Sequence, residues 1–577
     1  MGYQTKCGRS TRSAATYLKI RRRLLTRVPS PISCYNLGMR WLLISIFILA
    51  FALRLIGLAS HPAGFTPDEA SFGYDAYSLL QTGKDQWGNS WPLTFKSFGD
   101  YKLPLYGYLT IPFVYFFGLT EFAVRLPNAL LGSFAVVITY FLVKKLKFSD
   151  SSALLSALLL AISPWHIPMS RGAFEANLTT FLLPLGIWAF LKAKDSTRYY
   201  LLSVLAFGLN LFSYHSARLI TPFIVLALIF IYRKKVKINK ISMFSLLLFA
   251  VFGFLALFAM LNGGGSRIST AGIFSESALY GAYLDRHQAF LNGLPSFLAT
   301  AINNKFIYLI RTFIENYLQY FSTTFYWTNG AAESTYGMTP GFGVLYWFES
   351  FFLIAYLLRL FTTRLVKSDW IILIWVILAP IPAALSIGPG YAANRAVIML
   401  PALHIASAIG GLYVYEKLKE YLSKKFIYIA FALVTVFSFS FFFEEYVYQQ
   451  PIDGGQQMMY GVRDTISNIK NTDGQILITR RLSEPHIFVA FYNKIDPPIY
   501  QNSSVNWDFE NHGFNWVDQL PEYSLDRYTF HNIDLNSENN SGFAAMVMTR
   551  DEYREEIVPQ AKAITNQSGD AIFYVAE

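Results

Sequence analysis

The chain has 577 residues, of which 53% are hydrophobic and only 15% charged, where soluble domains carry roughly 25% charged residues. That excess of apolar surface excludes a string of water-soluble domains, a disordered chain and a collagen-like repeat, and leaves a membrane protein. Two cysteines, Cys7 and Cys34, both near the N-terminus, exclude a disulfide framework, a cysteine zinc cluster and thiol chemistry further along.

Residues 1–40 hold nine Lys or Arg and no acid. The apolar run from Trp41 to Leu58 behind them reads as a membrane span, because a crossing needs about 20 apolar residues. The positive-inside rule makes the tail cytoplasmic; a signal peptide cleaved near Ala59 is the other reading, and both put His61 onward outside. Further spans are expected at 126–143, 152–168, 178–191, 199–214, 217–232, 241–261, 343–361, 370–387, 396–415 and 426–443, eleven in all. Alternate connections are basic, among them Lys144, Lys145 and Lys147; Lys192, Lys194 and Arg198; and Lys417, Lys419, Lys424 and Lys425. With the tail, the inside segments hold 27 basic residues against 11 in the outer loops, so the N-terminus is expected inside and the C-terminus outside.

Two outer loops, 61–125 and 262–342, exceed what a connector needs and are where function is expected; the second opens at Gly263-Gly264-Gly265. Within the first, Leu103 to Leu119 is apolar but interrupted by Pro104 and Pro112. Counting it as a span would invert every later loop against the charge bias, so it is expected as a helix lying at the outer interface. After Phe443 the composition turns: residues 444–577 hold 20 acids and nine bases, a net of −11, against +22 for what precedes them. A helical pattern over Gln456–Ile469 and strand-like runs at Gln475–Thr479, Ala544–Met548 and Ala571–Val575 predict a small extracytoplasmic α/β domain. The fold expected is thus an α-helical polytopic membrane protein with a basic tail (1–40), a transmembrane catalytic region (41–443) and an outer α/β domain (444–577). The positive charge faces anionic lipid and calls for no nucleic acid.

Candidate chemistry lies in the outer loops. Asp68 and Glu69 stand about ten residues beyond the first span, where one carboxylate can accept a hydroxyl proton and the other orient the acceptor; the competing reading makes Asp68 the cap of a helix starting at Glu69, with Thr66 assisting. Lys102, at the start of the interfacial helix, suits a phosphate at headgroup depth or simple snorkelling to lipid. Arg125 reads as a helix-end anchor. Arg171 and Glu175 lie four residues apart, as a helical salt bridge or as site residues. His215 and Arg218 on the third outer turn, and Arg395 after Gly388-Pro389-Gly390-Tyr391, are helix-end anchors that together can ring an anionic headgroup. No nucleotide-phosphate loop, metal-binding His-Glu-x-x-His or Gly-x-Ser-x-Gly elbow occurs. Charges are sparse inside the spans, Arg54 excepted, which favours surface catalysis over transport.

At these residues the chain resembles the polyprenyl-phosphate-dependent glycosyltransferases of the GT-C fold, the group that includes bacterial protein O-mannosyltransferase relatives and the transferases adding aminoarabinose to lipid A. The resemblance runs over about 41–415. It is carried by Asp68-Glu69, by Lys102-Leu103-Pro104-Leu105-Tyr106, by Phe122-Ala123-Val124-Arg125-Leu126-Pro127, and by Ser170-Arg171-Gly172 followed by an acid and Leu178-Thr179. It implies inverting transfer of a sugar from a polyprenyl-phosphate donor in the plasma membrane to an extracytoplasmic acceptor, whether protein, glycan or lipid. It also implies Asp68 as general base, Lys102 as phosphate ligand, and Arg171 and Arg395 near the headgroup; many relatives carry Asp where this chain has Glu175. Some GT-C enzymes use a divalent cation, but the loops show no ligand cluster and neither metal nor cofactor is expected. The rival readings are a flippase for lipid-linked sugar and a non-catalytic envelope protein that binds glycans.

Overall fold

The computed structural model describes residues 31–264, 272–330, 334–387, 393–537 and 542–577. The basic tail through residue 30, Gly265 and the Gly388–Tyr391 stretch lie outside the described residues.

Helix α1 (Pro31–Leu55) leads into the first loop, built from α2 (Pro67–Thr82), a hairpin of β1 (Phe95–Lys96) and β2 (Tyr101–Lys102), and α3 (Pro104–Phe117). The bundle continues through α4 (Glu121–Lys145), α5 (Asp150–Ala161), α6 (His166–Arg171), α7 (Thr179–Lys192), α8 (Tyr199–Asn210), α9 (His215–Tyr232) and α10 (Lys240–Ala259). The second long loop holds α11 (Glu276–Leu291), α12 (Ser296–Ile302) and α13 (Lys305–Gln319). It is followed by α14 (Trp347–Thr362), α15 (Lys367–Leu378), the single turns α16 (Ile381–Ala384) and α17 (Ala393–Ala396), α18 (Ala402–Leu418) and α19 (Lys424–Glu444).

Each expected span coincides with a helix, but six described stretches are long and apolar enough to cross a membrane alone: Gly38–Leu55, Glu121–Lys145, His215–Lys235, Lys240–Asn262, Lys367–Ala384 and Lys424–Asp453. The others are shorter. The span expected at 152–168 stops at Ala161, ahead of Pro164 and Pro168, leaving 12 residues. Such a helix rises about 18 Å against a hydrocarbon core of about 30 Å, so helix length alone does not carry the count of eleven. The apolar segment after Lys102 is α3, with Pro104 in its first turn, where the missing N–H costs nothing. Tyr106, Thr110 and Val114 face inward, while Tyr115, Phe116 and Phe117 are exposed.

Beyond α19 the helix passes through a π turn (Glu445–Gln449) into α20 (Gln450–Asp453), where the composition changes. The C-terminal part comprises α21 (Val462–Ile469), β3 (Ile476–Ile478), α22 (Pro485–Asn493), α23 (Pro497–Ser504), β4 (Tyr523–Leu525), β5 (Tyr528–Phe530), β6 (Ala545–Thr549), β7 (Lys562–Thr565) and β8 (Ala571–Ala576). Its six strands run in the order β4-β5-β3-β6-β8-β7. The central strand β3 is parallel to both neighbours, and its Ile-Leu-Ile is buried on both faces, as a covered parallel strand requires.

The hydrophobic core does not divide at residue 444. One continuous cluster joins Phe65, Phe72 and Tyr106 of the first loop to Ile466, Phe488 and Phe491 of the C-terminal part. Phe65 and Phe491 have ring centroids 4.9 Å apart, and Tyr74 donates from its hydroxyl to the Ile495 carbonyl at 2.8 Å. Glu121, at the start of α4, accepts from the Tyr492 hydroxyl at 2.6 Å and pairs with Arg463. Two glycines permit the approach: a Cβ at Gly73 would lie 2.5 Å from Val124 and 2.6 Å from Phe491, and one at Gly99 would lie 1.9 Å from the Asn515 carbonyl oxygen. The first loop is therefore clamped between the helix bundle and the α/β layer. Gly73→Leu should wedge α22 off α2 and cost about 1–3 kcal/mol, read as a lower thermal midpoint of the detergent-purified protein; an unchanged midpoint would refute this close packing.

Candidate functional site

Pro67 occupies the first position of α2 and Thr66 is its N-cap. The Thr66 hydroxyl accepts from the Glu69 N–H at 3.3 Å, and the Glu69 carboxylate accepts from the Thr66 N–H at 3.0 Å, closing a capping box. The reading of Asp68 as the cap is thus corrected: the cap lies two residues earlier, because Pro67 already has helical geometry.

Adjacent residues on a helix diverge by about 100°, and the acid pair splits accordingly. Glu69 is fully buried; it takes Arg125 Nε at 2.8 Å and Arg125 NH2 at 3.1 Å, and also accepts from the Ala173 N–H at 2.9 Å. With four donors on two oxygens it has no capacity left for a substrate, which departs from its expected part in catalysis. Asp68 faces the other way. Its side chain is 43% exposed and its Oδ1 lies 2.8 Å from Lys102 Nζ, which is itself only 2% exposed. Lys102 stands on β2 rather than on the following helix, its ammonium held between the Phe72 and Phe98 rings at 4.9 and 5.0 Å.

Asp68 opens into a cleft of about 340 Å³. The first loop contributes Thr66, Asp68, Phe98 and Asp100; the turn after α6 contributes Phe174 and Glu175; the second long loop contributes Tyr336; the C-terminal part contributes Gln457, Met459, Glu484 and Trp516. Of the residues singled out in the sequence, Asp68 and Glu175 line this cleft and Lys102 lies directly behind Asp68. Arg171 does not line it: its guanidinium donates to the carbonyls of Leu53, Ile56 and His61 at 2.7, 2.8 and 3.2 Å, closing the end of α1. α6 ends at Arg171 and the backbone turns extended at Gly172, so the four-residue helical pairing with Glu175 does not arise. Arg54 serves the bundle likewise, on the Ala161 and Leu160 carbonyls and His166.

His215 begins α9, and Arg218 donates from Nε to the Leu211 carbonyl at 3.1 Å. Arg395 donates to the Ile387 carbonyl at 3.2 Å from a single-turn helix. None of the three lines the cleft, but their elements buttress it. Asn394 Nδ2 donates to the hydroxyls of Tyr214 and Tyr336 at 2.9 and 2.5 Å, and Tyr336 packs on Phe174 with centroids 5.0 Å apart.

Sequence reading missed the cleft's C-terminal wall. Glu484 holds a left-handed backbone (φ 53°) ahead of Pro485, its N–H donating to Asp518 at 2.6 Å. Asp518 accepts from the Tyr523 hydroxyl at 2.7 Å, and that hydroxyl lies 3.0 Å from His486 Nδ1. Burial, then the charge of Asp518, hold the Glu484 carboxyl well above its ordinary 4.5. Burial pushes His486 down to about 3. Both shifts favour the neutral form of each group across their 4.0 Å separation. Glu484, His486 and Asp518 place ligand-type atoms within 4.8 Å of one another; this trio can hold a divalent cation once Glu484 loses its proton. The Glu484-Pro485 step, a strained residue opening a helix, was the local signal available.

A family model for dolichyl-phosphate-mannose-protein mannosyltransferases matches residues 102–258, opening at Lys102. An uncharacterized protein of Aquifex aeolicus is 30% identical over 152 residues, which are 26% of this chain and 28% of that protein, so the chain spans under a third of that relative's length. The crystal structure of an Archaeoglobus fulgidus oligosaccharyltransferase aligns at 14% identity and a TM-score of 0.45, over 79% of this chain and 64% of that one. ArnT from Cupriavidus metallidurans, solved with bound undecaprenyl phosphate, aligns at 11% identity with a TM-score of 0.51, over 93% of this chain and 98% of that one.

The chain has the GT-C fold. In this GT-C chain the C-terminal layer and the first loop both line the cleft, and Glu484 on the C-terminal side couples its stability to pH. The Glu484 carboxyl keeps a proton in the folded state that the unfolded chain releases near its ordinary 4.5. Its stabilising contribution is full below that value and is lost as the pH rises through the raised one. Glu484→Gln, neutral at every pH, should flatten the fall of the thermal midpoint as the pH rises above the ordinary 4.5; parallel wild-type and variant curves would overturn the assignment.

Proposed function

We propose that this protein is a membrane glycosyltransferase that moves a sugar from a polyprenyl-phosphate donor to an acceptor hydroxyl by inverting displacement, with Asp68 as general base. The observation that carries this reading is the half-exposed Asp68 carboxylate in a cleft of about 340 Å³, held on a buried lysine. The family-model match over 102–258 and the fold shared with a protein solved with undecaprenyl phosphate support a lipid-linked donor.

The acceptor oxygen attacks the anomeric carbon, the bond from that carbon to the phosphate oxygen breaks, and the acceptor proton passes to Asp68. The polyprenyl phosphate departs with the electron pair. Such a donor is already activated, so the protein's task is alignment, removal of one proton and compensation of the leaving charge. Lys102 fixes Asp68 and is the nearest cation; Glu175, on the same cleft, is a candidate for orienting the acceptor. The charge pattern supports an extracytoplasmic cleft: Asp68 and the acidic C-terminal part share one end of the bundle, and the basic connections around Lys144 and Lys235 lie at the other.

With purified lipid-linked sugar and an acceptor, Asp68→Asn should lower turnover by about 10²–10⁴-fold while the protein remains folded. Release of free polyprenyl phosphate, which a flippase would not produce, is the readout; turnover retained by the Asn variant would exclude Asp68 as the base. Lys102→Ala frees Asp68 and removes the cation, and should lower kcat/KM for the donor by about tenfold or more. An unchanged kcat/KM would remove Lys102 from the site.

A further inference from the structure

The end of the bundle away from the Asp68 cleft carries a second cavity of about 610 Å³. α4 connects the two: Glu121 at one end meets the C-terminal part, and Lys144 and Lys145 at the other line this cavity, about 35 Å away at the rise of a helix. Its walls come from four separate connections, those after α4, α7 and α9 and the one between α14 and α15. The floor is apolar and aromatic, with Leu146, Phe190, Leu191, Tyr200 and Tyr232.

Three of the cations in this wall are compensated: Lys144 pairs with Asp150, Lys145 with Asp195, and Arg359 with Asp369. Lys147, Lys194, Lys235 and Lys367 line the same space without a carboxylate partner among the described residues. Lys367 spends one N–H on the Ile231 carbonyl at 2.7 Å, and the Tyr232 ring lies 5.7 Å from Lys367 and 5.8 Å from Lys235. Lys147 reaches its place through a left-handed backbone (φ 69°), unfavourable for a residue with a side chain. Unconstrained surface lysines spread apart. Here separate connections bring four ammonium groups to one concavity over an aromatic floor, an arrangement that an anion relieves.

We propose that this cavity binds a phosphate-bearing anion at the membrane surface, its oxygens among Lys147, Lys194, Lys235 and Lys367 and its apolar part on Phe190 and Tyr232. The chemistry is common to the headgroup of an anionic phospholipid and to a soluble oligophosphate. The cavity's place at the ends of apolar helices, and its apolar floor, favour the lipid. The proposal stands independently of the reaction assigned to the Asp68 cleft.

The test uses the full chain in neutral detergent, exposed to mixed micelles of phosphatidylglycerol or phosphatidylcholine and, separately, to inorganic pyrophosphate, with retained adducts counted by intact-protein mass spectrometry. One variant combines Lys147→Gln, Lys194→Gln and Lys235→Gln; its control removes the same charge elsewhere through Lys417→Gln, Lys424→Gln and Lys425→Gln. The wild type and the control should retain phosphatidylglycerol but not phosphatidylcholine, and the cavity variant should retain at least about tenfold less. Lys235→Gln alone, at an exposed position, should give an intermediate loss without disturbing the fold. Retention of pyrophosphate but not phosphatidylglycerol, again lost in the cavity variant, would establish the site with a soluble ligand. Absence of both anions from the wild type, or equal loss in both triple variants, would overturn it.

Discussion

The Arg125 guanidinium is wholly buried and commits each of its five N–H donors to the first loop. Two go to the Glu69 carboxylate and three to the carbonyls of Leu58, Pro62 and Gly64. A buried charge is tolerated only when paired and fully hydrogen-bonded, and removing one partner strands the other at a cost of about 3–5 kcal/mol. Glu69 completes its shell with the N–H groups of Thr66 and Ala173. One ion pair therefore fixes the start of α2, the chain between α1 and α2, the N-terminal end of α4 and the turn after α6. Asp68 inherits its direction from this constraint: with Glu69 locked inward, the helical rotation turns its neighbour outward to the cleft.

The cleft is assembled from opposing layers. On the bundle side Lys102, shielded by Phe72 and Phe98, holds Asp68. On the C-terminal side burial, then the charge of Asp518, raise the Glu484 carboxyl well above its ordinary value. The Asp68 charge adds to that rise, so ionising Glu484 brings like-charge repulsion across the cleft. The shared core through Phe65, Phe72, Phe488 and Phe491 sets the spacing, so the α/β layer forms part of the site rather than an appendage to it.

The molecule is polar along the direction of its long helices. Acidic groups gather around the Asp68 cleft and uncompensated lysines around the cavity at the other end of α4. A chain with a net charge of +11 thereby presents opposite signs at its two ends. The helices hold the two ends apart by about 35 Å, and salt in the water at each end screens exposed charges within about 8–10 Å.

Helical membrane architecture, the change at residue 444 and the candidacy of Asp68, Lys102 and Glu175 were legible in the amino-acid order. Hydropathy runs, charge bias and acids beside a span are local properties, and a bilayer enforces them strongly. Span lengths were less legible: α5 ends at Ala161, ahead of Pro164, although the apolar run continues, whereas α4 and α9 continue through Pro127 and Pro222. Only the tertiary structure decided which acid of the Asp68-Glu69 pair faces the cleft, that Arg171 closes α1 instead of pairing with Glu175, and that Glu484 and Trp516 supply the opposite wall. Each of those outcomes depends on partners distant in the chain, Glu69 on Arg125 and Asp68's cleft on residues some four hundred positions later. Burial and pairing energies belong to the packed ensemble of those partners, so no window of adjacent residues contains them.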